Sequence, residues 1–310
     1  MLLALLLHAA PASAPEAAAS RLYPHASETR EVLDLAGEGW LLASASSDGA
    51  TTAVPDGWLR EPLSLYADAL GRRVRQVALP ASFDSRGLNA TEDMEPRVFQ
   101  LERTVFVPAA WCAGDSDVVL RVGAVNHDAT AFVDGRPLCT HSGEYLPFEC
   151  QLPTEQLCGA NRGGAIRLAL VVSNVRTWAT LPPGRTVEAA GITRLDQWSG
   201  QYSFTGVHGS VHLIARPRRR ISDVTTATTL EANGTATLTV AVEHEAEAAA
   251  TVRATLRDAR GTSVATAVGS APELSLNVEH PRLWWPAGKP QRVAKNKVLP
   301  EQSFGSGRKL

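Results

Sequence analysis

Apolar and polar residues alternate along short stretches of this chain, and turn residues separate the stretches. Apolar side chains fall on every second position from Ala129 to Val133, which predicts a half-buried strand. Asp134-Gly135 follows, a pair that favours a two-residue hairpin, and a returning strand is predicted from Pro137 to His141. Leu146-Pro147-Phe148 continues as an extended segment because proline disfavours a helix there. The pattern predicts a β-hairpin near the middle of an all-β domain.

Further strands are predicted on both sides of this hairpin. Val98 to Val107 alternates until Pro108 ends it, and Val118 to Gly123 forms the next apolar stretch. Ala165 to Asn174 contains the longest apolar run, and its β-branched end favours a strand that is buried on both faces. Val211 to Ala215 is predicted to close this first domain, which covers residues 22–216.

A second all-β domain is predicted over residues 221–286. Turns at Asn233-Gly234 and Arg260-Gly261 separate short strands rich in Thr, Val and Ala. This spacing is typical of an immunoglobulin-like sandwich, although a somewhat small one without the Cys…Trp…Cys set. Residues 287–310 are polar and lack periodicity, so an irregular tail is predicted. The predicted strands are Ile221–Thr229, Thr235–Glu243, Thr251–Asp258, Ser263–Val268 and Glu273–Val278.

Composition narrows the class of protein. A chain of 310 residues with 44% hydrophobic residues can bury two ordinary cores. A net charge of −2 with mixed signs argues against a nucleic-acid partner, because such proteins usually carry a clear basic excess. No stretch is apolar over the length that a membrane-spanning helix needs, so no membrane partner is predicted.

The N-terminus predicts entry into the secretory pathway. Met1 to Ala14 has a short apolar core and ends in Ala-x-Ala, as a signal peptide does. A disordered alanine-rich tail is the alternative. Asn89 and Asn233 each begin an Asn-x-Thr sequon, and both are predicted as N-glycosylation sites of a secreted glycoprotein.

If the predicted signal peptide directs the chain into the secretory pathway, its four cysteines would be exposed to an oxidising compartment. They allow three disulfide pairings, among which the sequence does not choose, and four buried thiols are the alternative. None lies in a Cys-x-x-Cys pair, so no zinc site is predicted. The candidates for disulfide bonding are Cys112, Cys139, Cys150 and Cys158.

Several motifs resemble the N-terminal half of β-glucuronidases, members of the second family of glycoside hydrolases. The first is Gly-x-x-x-His-x-Ala-x-x-x-Val-Asp-Gly from Gly123 to Gly135, followed by His-x-Gly-x-Tyr-Leu-Pro-Phe-Glu from His141 to Glu149. Other motifs are Leu-Tyr-Pro at Leu22–Pro24, Thr-Leu-Pro-Pro-Gly at Thr180–Gly184, and Leu-Trp-Trp-Pro at Leu283–Pro286. The resemblance implies a jelly-roll sugar-binding domain, hydrolysis of terminal β-glucuronides, a homo-oligomer, and a lysosomal or extracellular location.

The loop that faces the catalytic pocket in this family is altered here. By resemblance it should carry an acidic residue, an amide and an arginine, but this chain has Gly200, Ser203 and Gly209 at those positions. These differences remove hydrogen-bonding groups. The resemblance therefore does not predict a sugar contact from this loop.

Catalytic residues are not predicted anywhere in the chain. Retaining glycosidases need two carboxylates about 5 Å apart, which the family places on a (β/α)₈ barrel that would begin after Pro286. Asn-Glu, the family's acid/base signature, does not occur in this sequence. The Asp and Glu residues are predicted to solvate strands and turns, and His127, His141 and His208 have no common ligand spacing. No catalytic, cofactor-binding or metal-binding residue is predicted, and no cofactor.

These observations lead to a prediction about function. The chain is interpreted as the non-catalytic N-terminal part of a β-glucuronidase-like glycosidase, truncated and inactive alone. A stand-alone carbohydrate-binding or adhesive module is the alternative, and a decaying pseudo-enzyme is a third. Trp284 and Trp285 are assigned to packing at a domain junction rather than to sugar stacking.

Overall fold

A computed structural model gives the structure of the protein. It describes residues 2–5, 26–27, 29–44, 54–66, 74–83, 98–113, 116–158, 164–175, 177–181, 183–189, 192–197, 205–245, 251–258, 260–270, 272–283, 292–293 and 297–298. Asn89, Gly200, Ser203, Trp284 and Trp285 lie outside these residues.

Strands dominate the described residues, and the helices are single turns. The strands are β1 (Leu2–Leu5), β2 (Glu31–Asp34), β3 (Gly37–Ser44), β4 (Val74–Leu79), β5 (Ala81–Ser82), β6 (Val98–Phe106), β7 (Ser116–Val122), β8 (Val125–Asn126), β9 (Asp128–Val133), β10 (Arg136–Ser142), β11 (Phe148–Leu152), β12 (Ala165–Ser173), β13 (Gly184–Ala189), β14 (Ile192–Gln197), β15 (Gly206–Val207), β16 (Val211–Pro217), β17 (Arg220–Leu230), β18 (Ala236–Glu245), β19 (Thr251–Arg257), β20 (Ser263–Ser270), β21 (Glu273–Val278), β22 (Arg292–Val293) and β23 (Lys297–Val298). The helices are α1 (Asp56–Arg60), the 3₁₀ turn η1 (Leu63–Tyr66), α2 (Ala110–Ala113) and α3 (Thr154–Leu157).

The chain divides into two compact units, and the larger one is Tyr23–Pro217. Its two main sheets have the strand orders β10-β9-β12-β6-β3-β4 and β11-β7-β16-β2. One apolar core takes side chains from both sheets, among them Trp40, Leu101, Leu120, Leu168 and Leu213, which are buried. No (β/α)₈ barrel occurs among the described residues, and the prediction of an all-β chain is confirmed.

The predicted central hairpin is confirmed as β9 and β10. The two strands pair antiparallel, and β9 alternates half-buried and buried positions from Asp128 to Val133. Asp134 and Gly135 have φ angles of 49° and 79°. Two successive positive φ values define a type I′ turn, whose twist matches that of the flanking strands. The Asp-Gly pair therefore forms the turn that its residue types favour.

Strand β12 lies at the centre of the six-stranded sheet, between β6 and β9. Its inner face contributes Ile166, Leu168 and Leu170 to the main core. A smaller apolar cluster covers part of the outer face, where Trp58 and Leu63 pack near Val171. Because this cluster covers part of the outer face of β12, the stretch from Ala165 to Asn174 carries apolar residues on both faces.

An ion-pair network fixes the segment that supplies this cluster. Arg167 Nη1 donates to Glu102 Oε2 at 2.8 Å, and both side chains are largely buried. The same guanidinium donates to the main-chain carbonyls of Leu59, Arg60 and Glu61, at the end of α1. Glu102 Oε1 in turn accepts from the Leu63 main-chain nitrogen at 3.0 Å. The cation thus satisfies carbonyl groups that a helix C-terminus leaves without partners.

The second unit comprises Met1–Leu22 and Arg218–Leu310. Its main sheets have the orders β17-β18-β21 and β1-β19-β20, and Val240, Val252 and Leu276 are buried in its core. The five strands and both turns predicted for this part of the chain are confirmed, with Gly234 and Gly261 at positive φ. In addition, β1, which lies within the predicted leader, pairs in parallel with β19.

Part of the predicted irregular tail forms a short antiparallel pair, β22 with β23, which the sequence did not predict. The remaining residues from 287 to 310 lie outside the described residues.

Two disulfides join the four cysteines. Cys112 at α2 bonds to Cys158 after α3, and Cys139 on β10 bonds to Cys150 on β11. Because β10 and β11 belong to different sheets, the second bond links the two layers of the sandwich. Among the described residues, the helices lack the length and the apolar character that crossing a membrane requires.

Candidate functional site

Two described loops leave the six-stranded sheet at the same end. Ser142 on β10 and Ser173 on β12 both lie opposite Asp128, the first residue of β9. The segments that follow these two strands therefore start side by side. Strand β8 and strand β15 also meet here, with Gly206 opposite Asn126. We call this end of the larger unit the loop end.

A carboxylate lies buried at the loop end. Glu144 is 1% exposed, and its Oε1 accepts a hydrogen bond from Asn126 Nδ2 at 2.9 Å. Asn126 is also fully buried. The sequence predicted that the acidic residues solvate strands and turns; this is wrong for Glu144 and for Glu102. Their carboxylates are buried because each accepts a hydrogen bond from a buried or partly buried donor.

Three histidines contact the two residues Gly143 and Glu144. The main-chain carbonyl of His127 accepts from the Gly143 nitrogen at 3.1 Å. His141 Nε2 lies 3.2 Å from the Gly143 carbonyl oxygen, and its ring stacks on Phe148 with centroids 4.4 Å apart. His208 Nε2 lies 3.1 Å from the Glu144 carbonyl oxygen. Histidines with no common sequence spacing are thus brought together by the fold around one turn.

A second polar contact lies beside this turn. Asn174 Nδ2 donates to Thr205 Oγ1 at 3.3 Å, and both residues are buried. The loop that follows β12 is closed by Thr177 and Thr180, since Thr180 Oγ1 donates to the Thr177 carbonyl oxygen at 2.9 Å and accepts from the Thr177 nitrogen at 3.1 Å. These bonds fix the position of Thr180, the first residue of the Thr-Leu-Pro-Pro-Gly motif.

Large apolar side chains project from the two loops. The exposed fractions are 59% for Tyr145, 70% for Leu146, 62% for Trp178 and 73% for Leu181. We call these four residues the apolar rim. Aromatic rings with one polar edge can stack on the apolar face of a sugar and donate to its hydroxyl groups. The rim and the polar turn therefore present the kinds of group that such contacts use.

Sequence reasoning missed both parts of this surface. The sequence motifs include Tyr145 but not Trp178, and a strand pattern does not separate exposed aromatic residues from core ones. A signal was present for Glu144, because an acidic residue inside an otherwise apolar Gly-x-Tyr-Leu-Pro-Phe segment needs a buried partner. The pairing with Asn126 depends on tertiary structure.

The loop that contains Gly200, Ser203 and Gly209 is described by the structure only from Thr205 onwards. The Gly209 nitrogen donates to the Ala124 carbonyl oxygen at 3.0 Å. A Cβ atom at Gly209 would overlap the backbone of Gly123 and Ala124. This close approach explains why glycine stands where the resemblance would place an arginine. The predicted loss of an arginine contact here fits the local packing.

The remaining candidate residues lie away from the loop end. Asn233 is exposed in the turn between β17 and β18, and its Oδ1 accepts from the nitrogen and the hydroxyl of Thr235 at 2.9 and 2.7 Å. Asn89 lies outside the described residues. The part of the chain that the structure describes holds no group of three or more His, Cys, Asp or Glu side chains suited to a metal ion.

His212 has a shifted pKa. His212 on β16 is 6% exposed, and burial lowers its pKa below the ordinary value of 6.5. The Asp34 carboxylate, 3.7 Å from His212 Nε2, acts in the opposite direction, while the charge of Arg121 adds to the lowering. The neutral imidazole is thus favoured in the folded protein.

Comparisons with known proteins agree with these features. Residues 219–292 match the family model described as glycosyl hydrolases family 2. The chain is 28% identical over 277 residues to a β-glucuronidase of Canis lupus familiaris, which covers 86% of this chain and 40% of that protein. It is 29% identical over 273 residues to a β-glucuronidase of Paenibacillus borealis, with 86% and 42% covered.

Solved structures give the same result. The β-glucuronidase of Lactobacillus rhamnosus aligns with a TM-score of 0.67 and 28% identity over 84% of this chain and 40% of that chain. The β-D-glucuronidase of Dictyoglomus thermophilum aligns with a TM-score of 0.65 and 26% identity over 85% and 40%. The chain therefore spans about two fifths of the length of the relatives that it matches. The resemblance predicted from the sequence is confirmed.

Proposed function

Because this chain is β-glucuronidase-like and contains a segment of glycosyl hydrolase family 2, we propose that it is the non-catalytic N-terminal part of a glycosidase of this kind. The family reaction is the hydrolysis of terminal β-glucuronides, and the 310 residues alone do not perform it. The observation that carries this proposal is the unequal coverage, 86% of this chain against 40% of its relative.

The chemistry of the described residues supports the proposal. A retaining glycosidase holds one carboxylic acid and one carboxylate about 5 Å apart on either side of the scissile bond. Glu144 accepts from Asn126, and Glu102 is neutralised by Arg167. Both buried carboxylates are thus engaged in bonds that stabilise the fold.

Hydrolysis of a chromogenic aryl β-glucuronide tests this proposal. The purified chain is incubated at micromolar concentration over the acidic to neutral pH range, and the Paenibacillus borealis β-glucuronidase serves as positive control. We expect no release of the aryl alcohol above the buffer rate. Turnover that co-elutes with the folded chain and is lost on its denaturation would overturn the proposal.

A carbohydrate-binding module is the second candidate function, and the loop end favours it. Tyr145 and Trp178 offer exposed aromatic surface on the two loops, and hydrogen bonds hold the main chain at Gly143 and Glu144 in place. A rigid site loses little conformational entropy when it binds a ligand. The ligand class is a glycan, and uronic-acid-containing oligosaccharides are the first to examine.

Isothermal titration with glucuronic acid and with glycosaminoglycan oligosaccharides tests this second candidate. We expect Trp178→Ala and Tyr145→Ala each to weaken binding about 2- to 10-fold. Phe106→Ala is the matched control, since Phe106 is 74% exposed and lies at the other end of β6 from Val98, which faces Ser173. Absence of heat with every glycan, or equal loss in the control, would refute a binding role for the loop end.

We also propose that the protein enters the secretory pathway and acts in lysosomes or outside the cell. The apolar Met1–Ala14 segment, two sequons and four cysteines in two disulfides support this location.

A further inference from the structure

The smaller unit has one strand edge that an N-terminal segment covers. Strand β19 pairs antiparallel with β20 on one side. On its other side Leu2 to Leu5 lie parallel to it, with Leu2 opposite Thr251 and Leu5 opposite Ala254. This second edge therefore accepts an extended apolar segment. If the covering segment leaves, a row of main-chain hydrogen-bonding groups becomes exposed.

The alternation of buried and exposed residues along β19 is compatible with pairing to the same strand of a second copy. Val252, Ala254 and Leu256 face the core and are buried, whereas Thr251 and Arg253 are exposed. A two-fold axis brings the same strand from a second copy alongside in antiparallel orientation. Such a pairing continues the sheet across both copies and leaves no free edge at β19.

The charges of β19 select one register for this pairing. With Ala254 opposite Ala254 of the second copy, Thr251 faces Arg257, Val252 faces Leu256 and Arg253 faces Thr255. Moving the axis to Arg253 places two arginines directly opposite each other. Moving it to Thr255 places Arg253 against Arg257. Like charges in directly opposite positions destabilise a sheet. Of these three registers, the Ala254-centred one alone separates the arginines, and it also pairs all seven residues from Thr251 to Arg257.

We propose that the β19 edge is a self-association site, and that a second copy of this chain occupies it through antiparallel β19–β19 pairing when Leu2–Leu5 does not. The N-terminal segment and the second copy compete for the same edge. Removal of the predicted leader would then allow the dimer to form. This inference concerns the smaller unit and does not depend on the proposed glycosidase function.

Sedimentation velocity of the full chain over a range of concentrations tests the proposal. Ala4→Pro removes a main-chain donor from β1 and is expected to convert a monomer into a dimer. Ala9→Pro, outside the paired segment, is the control and is expected to remain monomeric like the parent. Ala4→Gly, which weakens the strand without removing a donor, is expected to give an intermediate dimer fraction.

Substitutions at exposed Thr251 separate this dimer from unspecific association. In the Ala4→Pro chain, Thr251→Arg places an arginine opposite Arg257 twice and is expected to abolish the dimer. Thr251→Glu places opposite charges there and is expected to tighten it about 2- to 30-fold. Thr228→Arg and Thr228→Glu, on exposed β17, are the controls and should change nothing. The proposal is overturned if neither Ala4 variant dimerises, or if the two Thr251 variants behave alike.

Discussion

Asn126 and Glu144 are eighteen residues apart in the chain and meet in a buried hydrogen bond of 2.9 Å. The bond joins the short strand β8 to the turn that follows β10, one residue before the exposed Tyr145. A buried carboxylate is retained at this position because an amide donor meets it. The geometry of the candidate sugar-binding surface therefore depends on this pair.

Replacing Glu144 tests the pair directly. Glu144→Ala leaves the Asn126 amide buried without this acceptor, and we expect a loss of about 1–3 kcal/mol in the free energy of unfolding. Glu144→Gln keeps an acceptor oxygen and is expected to recover most of that loss. Urea denaturation followed by circular dichroism measures both, with exposed Glu155→Ala as control. Equal stability of Glu144→Ala and the control would show that the bond contributes nothing.

Arg167 and Glu102 give a second prediction. Arg167→Met leaves the Glu102 carboxylate and several carbonyls of the α1 terminus without their cation, at a cost of about 3–5 kcal/mol. Because the two residues act as one unit, Arg167→Met with Glu102→Gln should cost less than the sum of the single changes. Arg136→Met, at an exposed position on β10, is the matched control. Additive losses would contradict a coupled network.

The depressed pKa of His212 predicts a pH dependence of stability. The unfolded imidazole binds a proton near its ordinary pKa of 6.5, whereas burial lowers the pKa in the folded chain. The unfolded state therefore takes up the proton first, and stability falls as the pH drops below about 6.5 until the folded pKa is reached. Unfolding free energies measured from about pH 8 to pH 5 should fall less steeply in His212→Gln.

Asp34→Asn tests the same pH dependence by lowering the pKa of His212 further instead of removing the imidazole. The Asp34 carboxylate raises the pKa of His212, so removing its charge lowers that pKa further. The loss of stability towards acid pH should then extend over a wider range than in the parent chain. A flatter profile in Asp34→Asn would mean that another group controls the pH dependence.

The two disulfides should contribute different amounts to the free energy of unfolding. Cys112 and Cys158 are 46 residues apart, while Cys139 and Cys150 are 11 apart. Closing these loops in the unfolded chain accounts for about 4 and about 3 kcal/mol, respectively. The double variants Cys112→Ser/Cys158→Ser and Cys139→Ser/Cys150→Ser, compared by thermal unfolding, measure the two values. A larger loss for the shorter loop would contradict the loop-entropy account.

Glycosylation at Asn233 is predicted from its exposed turn and from the hydrogen bonds to Thr235. The chain secreted from eukaryotic cells should lose mass on enzymatic removal of N-glycans. In Asn233→Gln this mass loss should be smaller by the mass of one glycan, and Thr235→Ala should have the same effect. An unchanged shift in both variants would leave Asn89 as the glycosylated position.

Much of the fold could be predicted because the signals are local. The Asp134-Gly135 turn and the alternation of β9 depend on residues next to one another, and the structure reproduces both. The loop end could not be predicted in the same way. Asn126, Glu144 and His208 meet only because β8 pairs with β15 and the turn after β10 folds beside them. The cover of β19 by Leu2–Leu5 is likewise a long-range pairing.

We propose that this chain, taken alone, does not form the covalent glycosyl-enzyme of a retaining glycosidase. Intact-mass spectrometry after treatment with a 2-deoxy-2-fluoro-β-glucuronyl fluoride tests it most directly, because such reagents trap the covalent glycosyl-enzyme. We predict an unchanged protein mass, while the Paenibacillus borealis β-glucuronidase in the same experiment gains one fluoroglucuronyl group. A stoichiometric adduct on this chain would contradict the claim and would identify the nucleophile by peptide mapping.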